Sequence, residues 1–216
     1  MLAQNPTITG SNGIQLEIFP HEYWYLAPCR TGFEPGENVR ALDWAVVLHN
    51  ARIGKGVVSA LDDLLSGITP TTMKRGAGKE AELLLEKIRI ERFPEKPSRL
   101  RSYFLNYSRH VAEHRAKTMF RGNRKLVRCH VVLNSAKFHH GDVEIFDKLT
   151  GRPDDKNLAA SYWDEFKPVT DAEFDRLEVI ADSMLFFPDW EEFPVLNPDT
   201  LVAWENSIIS GAAVDR

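Results

Sequence analysis

Glu178-Val-Ile-Ala-Asp-Ser-Met-Leu-Phe-Phe187 is a run of mostly apolar residues that opens on a single carboxylate, and it suits one strand of a buried sheet. Just before it, Thr170-Asp-Ala-Glu173 spells a capping box and predicts a brief helix. Further back, residues 126–133 and 143–146 read as strands, and Asp154 or Asp155 is placed to cap a helix running to Phe166. A helix over 108–119 and the short aromatic Arg101-Ser-Tyr-Phe-Leu105, suited to a strand, come earlier. Pro94 and Pro97 separate that strand from residues 79–92, where strong helix formers carry an apolar face at Leu84, Leu85 and Ile88.

Residues 21–27, rich in aromatics and stopped by Pro28, predict a first core strand, and 29–37 a loop. Two short helices are predicted over 38–50 and 57–66, the second ended by Gly67 and Pro70. Residues 199–209 fit either strand or helix. Strands and helices alternate too irregularly for clean βαβ units. The expectation is an α+β fold: a mainly antiparallel central sheet with flanking helices, formed by one domain over 21–216 behind an N-terminal arm over 1–20.

Composition sets the bounds. A chain of 216 residues with 43% hydrophobic and 27% charged residues builds one core and is neither disordered nor fibrous. Its longest apolar runs fall far short of the roughly 20 residues that span a bilayer, and Met1–Gly10 lacks the pattern of a secretory signal. A cytoplasmic location without a membrane partner is therefore expected. Cys29 and Cys129 belong to no CxxC pair and are expected as thiols, Cys129 as a small buried hydrophobe. The net charge of -4 is unevenly spread: residues 99–128 are strongly basic and 171–205 strongly acidic. Such asymmetry either offers a basic face to nucleic acid or pairs within the fold.

Standard nucleotide signatures are missing, since no GxGxxG follows a strand and no GxxxxGK[ST] is present. His110-Val-Ala-Glu-His114 matches the HxxEH pattern, in which two histidines one helical turn apart hold zinc while Glu113 activates water and Glu178 serves as a third ligand. The neighbouring Arg109, Arg115 and Lys117 oppose a cation there. His139-His140-Gly-Asp142 is expected as a polar hairpin turn, because adjacent side chains diverge. Phe93-Pro-Glu-Lys-Pro-Ser-Arg-Leu-Arg-Ser-Tyr-Phe104 concentrates donors where a loop enters a strand: Ser98, Arg99 and Ser102 suit phosphate or ribose oxygens. Equally, Arg99 pairs with an acidic C-terminal residue and ties the loop down.

The Phe93-Pro and Pro97-Ser-Arg-Leu-Arg-Ser-Tyr-Phe104 segments resemble the signature of a bacterial family in the ADP-ribosyltransferase-like superfamily. The resemblance implies that superfamily's fold, NAD as the cofactor, and transfer of ADP-ribose to a protein, nucleic-acid or small-molecule acceptor, or hydrolysis of NAD. It implies a catalytic carboxylate at Glu178 and a cofactor site of Tyr25, Ser98, Arg99, Ser102, Tyr103 and Phe104, with no metal. Tyr25 stands where relatives often have His. Arg99 or Arg101 would offset the diphosphate charge, and an aromatic platform would stack the nicotinamide. Glu178 would stabilise the oxocarbenium-like ribose that forms as the nicotinamide bond breaks; as a plain sequence feature it is an exposed strand-edge residue.

Overall fold

Alternation along three neighbouring strands decides which side chains share a face. In the computed structural model, which describes residues 5–28, 44–59, 77–119, 124–134, 136–193 and 195, β1 (Thr7–Thr9) and β2 (Gln15–Glu17) form a small antiparallel hairpin. The main sheet has seven strands: β3 (Tyr23–Pro28), β4 (Val57–Ser59), β5 (Tyr103–Asn106), β6 (Arg124–Val131), β7 (Lys137–Asp142), β8 (Leu177–Asp182) and β9 (Met184–Phe186). Their order is β4-β9-β6-β3-β5-β8-β7 and every pair is antiparallel. Sheet and helices mix as an α+β arrangement, as expected.

Odd-numbered residues of β3, β5, β6 and β8 face one core, where Tyr25, Tyr103, Leu105, Val127 and Val179 pack with Leu48 and Ala51 of α1 (Trp44–Ile53). The opposite face carries Ile180, covered by Ala81, Leu85 and Ile88 of α2 (Ala77–Arg92), Leu149 of α4 (Val143–Thr150), and Ala159 and Tyr162 of α5 (Lys156–Tyr162). α3 (Arg109–Thr118) also packs on β3 and β6. Each fully buried Leu or Ile contributes roughly 1.5–3 kcal/mol. Among the described residues no helix is long and apolar enough to cross a membrane.

Several predicted elements form with their caps. Ser108 caps α3, Asp155 caps α5, and Thr170 and Glu173 form a reciprocal capping box on α6 (Asp171–Phe174). Four expectations are corrected. Residues 143–146 begin a helix rather than a strand: Asp142 accepts from Glu144 N at 2.9 Å, Glu144 pairs with Lys148 at 2.7 Å, and Leu149 completes a helical apolar face. Residues 57–59 form a strand, not a helix, because Lys55 and Gly56 turn the chain at φ 51 and 93. A Cβ at Gly56 would sit 2.6 Å from the Phe186 ring, so glycine alone fits. His139 and His140 lie within β7, not on a turn.

The run 178–187 is two strands, not one. At Ser183, whose hydroxyl donates to Val132 O at 2.5 Å, the chain leaves β8 beside β5 and β7 and enters β9 beside β4 and β6. Cys29, residues 38–43, 60–66 and 199–209, and Arg121 lie outside the described residues, as does the Arg101 side chain.

Candidate functional site

Arg99 is where the most unusual chemistry gathers. Pro94 and Pro97 end α2 and turn the chain back across it, and Ser98 caps a 3-10 turn, Arg99–Arg101, by accepting from Leu100 N. The turn buries the Arg99 side chain to 3% exposure. Its Nε and Nη2 grip both oxygens of Glu82 on α2 at 2.8 Å each. Its Nη1 donates to the Tyr162 hydroxyl and to Glu178 Oε2. Tyr162 in turn donates to Glu178 Oε2 at 2.7 Å. Three rings surround the guanidinium: Phe104, Phe146 and Tyr162 at 4.8, 4.5 and 5.0 Å, an arrangement favourable to a desolvated cation.

Burial alone would weaken the charged form of Arg99, but Glu178, Tyr162 and Glu82 outweigh it and hold the guanidinium well above its ordinary value. Burial, and then Glu178 against the opposing pull of Arg99, holds the Tyr162 phenol well above its ordinary value, so it stays a donor. Gly141 pairs with Glu178 across β7 and β8, and its missing side chain leaves the slot that Tyr162 fills: a Cβ there would lie 2.6 Å from the Tyr162 hydroxyl. Glu178 is 12% exposed, with Oε2 taken by both donors and no hydrogen-bond partner for Oε1 among the described residues.

The structure brings together only part of the expected site. Glu178, Arg99 and Phe104 meet on one face of the sheet. Tyr25 and Tyr103 do not: they are buried on the opposite face, with ring centroids 5.5 Å apart, inside the core around Phe187. Register enforces the separation, because Tyr103 pairs with Ala181 and Leu105 with Val179, so Glu178 must point the other way. All three Arg99 nitrogens are engaged within the fold, with Glu82, Tyr162 and Glu178. Ser98 is likewise internal, donating to Glu86 Oε2 at 2.9 Å. Ser102 Oγ is buried without a hydrogen-bond partner among the described residues. Phe104, 36% exposed, is the one aromatic of the expected platform on the side of Glu178.

The other candidates resolve differently. His110 and His114 are exposed on α3, Glu113 is held by Arg109 at 2.7 Å, and Glu178 belongs to the Arg99 cluster. Among the described residues no three His, Cys, Asp or Glu side chains are grouped to hold a metal. His139 is fully buried, and its Nε2 must donate to Tyr162 O at 2.8 Å, which leaves Nδ1 as a bare lone pair. Burial is the main reason its pKa falls to about 4. Glu165 links His140 at 2.8 Å to Lys96 at 3.1 Å.

The basic run pairs largely within the fold: Arg115 donates to Asn106 Oδ1 and to the carbonyls of Asp175 and Leu177, and Arg128 binds Asp189 and Glu22. Sequence reasoning missed Glu82 and Tyr162; Glu82, Glu86 and Arg89 at helical spacing on α2 were the available signal. It also missed a cleft of about 480 Å³ whose lining includes Trp24, Arg109 and Arg128 but not Glu178.

Residues 59–177, more than half of the chain, match the family described as protein of unknown function (DUF2441), and the chain belongs to that family. The matched span holds Glu82, Arg99, Phe104, Gly141 and Tyr162, and Glu178 follows it directly. Comparison with curated proteins returns no match.

Proposed function

We propose that this member of DUF2441 cleaves NAD at the nicotinamide–ribose bond, transferring ADP-ribose to an acceptor or to water, with Glu178 as the catalytic carboxylate. The observation that carries the reading is the hold on Glu178: Tyr162 and Arg99 fix one oxygen, and the other has no hydrogen-bond partner among the described residues. A carboxylate held rigidly by one edge can present fixed negative charge to a developing oxocarbenium centre. The bond between ribose C1′ and the nicotinamide nitrogen breaks with its electron pair going to the leaving nicotinamide. The acceptor oxygen or nitrogen then bonds C1′ and its proton departs to solvent. Adjacent placement of β3, β5 and β8 supports the reading, and so does the half-exposed Phe104 ring on the same face as Glu178. In this arrangement Arg99 and Tyr162 position Glu178, while Tyr25 and Tyr103 shape the core beneath it.

The test is incubation of the protein with NAD carrying an adenine label, with and without cell lysate. Nicotinamide release or label transfer is expected, and Glu178→Gln should abolish it. That variant keeps the Arg99–Glu82 pair and hydrogen-bonding capacity at position 178, so it should melt close to the parent protein. No release by the folded parent, or equal release by Glu178→Gln, would overturn the proposal.

A further inference from the structure

The cleft of about 480 Å³ runs along residues 125–128 of β6 and ends at the 3-10 turn Trp190–Glu192. Neither Arg99, Tyr162 nor Glu178 lines it. Half-buried Trp24 gives it an aromatic wall and Phe193 another. Its size is that of a small-molecule site, and its lining is mostly charged, with Glu22, Arg109, Lys125, Arg128, Asp189 and Glu192 set around the two aromatic walls.

Those polar groups differ in how far they are committed. Arg128 is fully engaged, meeting Asp189 at 3.2 and 2.5 Å and Glu22 at 3.3 Å. Arg109 is not. Its Nε donates to Glu113, but its side chain is 68% exposed and its two terminal nitrogens have no hydrogen-bond partner among the described residues. Its guanidinium lies 5.4 Å from the centroid of the Trp24 ring. Glu192 also lines the cleft, and its carboxylate accepts no hydrogen bond among the described residues.

We infer that this cleft binds a ligand of the nucleoside monophosphate class, with the base on Trp24, the phosphate at Arg109, and sugar hydroxyls or an amino group donating to Glu192. An indole with a guanidinium at its face accepts any flat heteroaromatic ring, because every base has a π-face. The terminal nitrogens of the same guanidinium form the charge-assisted bonds that a phosphate takes. A simple anion would leave the indole uncovered, and an uncharged ring would leave Arg109 idle. The inference is independent of the role of Glu178, which lies outside the cleft.

Titration with adenosine monophosphate, followed through the indole N–H resonance of Trp24 and assigned with Trp24→Phe, tests it. A shift at millimolar ligand is expected, and Arg109→Ala should weaken binding about tenfold, as loss of a charge-assisted contact does. Arg109→Ala removes only an exposed side chain and should fold. Glu178→Gln should bind like the parent. A Trp24 resonance that does not move, a response untouched by Arg109→Ala, or one reproduced by inorganic phosphate alone would overturn the inference. Equal weakening by Glu178→Gln would also overturn it, by placing the ligand elsewhere.

Discussion

Replacing Arg99 with Met tests whether the buried cluster holds the fold together. The substitution keeps much of the aliphatic stem but removes the cation, leaving the Glu82 and Glu178 carboxylates, 11% and 12% exposed, facing one another across the vacated space. At 3% exposure Arg99 is barely screened by solvent, and breaking a buried ion pair by removing one partner costs about 3–5 kcal/mol. For a chain of this length that corresponds to a fall in Tm of about 6–20 °C. Urea unfolding followed by tryptophan fluorescence, together with calorimetry, reads both quantities. Arg99→Lys should recover part of the loss, since it restores charge but not the fork that grips both Glu82 oxygens. Arg99→Met combined with Glu82→Leu and Glu178→Gln should recover most of it, because the stranded charges are then gone. Arg99→Met as stable as the parent to within about 1 kcal/mol, the scale of an exposed pair, would refute the reasoning.

Two further outcomes follow from single residues. The unfolded chain protonates His139 near 6.5 and the folded chain near 4, so the unfolded state binds the extra proton and stability falls as pH drops through that window. Between about pH 7 and pH 5 the loss should be about 2 kcal/mol, and His139→Gln, which keeps a donor for Tyr162 O, should flatten the urea midpoint across that range; an unchanged slope would count against it. Gly141→Ala drives a methyl to within 2.6 Å of the Tyr162 hydroxyl and should cost about 1–3 kcal/mol while breaking the Tyr162–Glu178 bond. A parent-like melt for that variant would show that the slot can widen.

What the sequence disclosed was mostly local. Caps at Ser108, Asp155 and Thr170 depend on a hydrogen bond between near neighbours, so the residue type announces them. Residues 143–146 misled because four residues with Val, Ile and Phe look alike as strand or helix, and only the Asp142 cap and Leu149 further on separate the two. The candidate site was half legible for a similar reason. Arg99 and Glu178 stand out as charges near apolar runs, but their partners Glu82 and Tyr162 arrive from 17 and 63 residues away from Arg99, by packing that no local pattern encodes. Strand parity alone could have shown that Tyr103 and Phe104 face opposite ways. Placing Tyr25 against them required the register of β3 on β5.

The break at Ser183 has a geometric consequence for the whole sheet. Four inter-strand steps separate β8 from β9 in the strand order, about 19 Å if the sheet were flat. Asp182 and Met184 are joined through one residue and cannot be more than about 7 Å apart. The sheet must therefore roll until strands distant in its order meet along a seam. Tyr25, Tyr103 and Phe187 fill the hollow of that roll, whereas Glu178 and Trp24 sit on its outer wall. Any ligand of either residue approaches from outside the roll, and the seam at Ser183 fixes the curvature of the wall it meets.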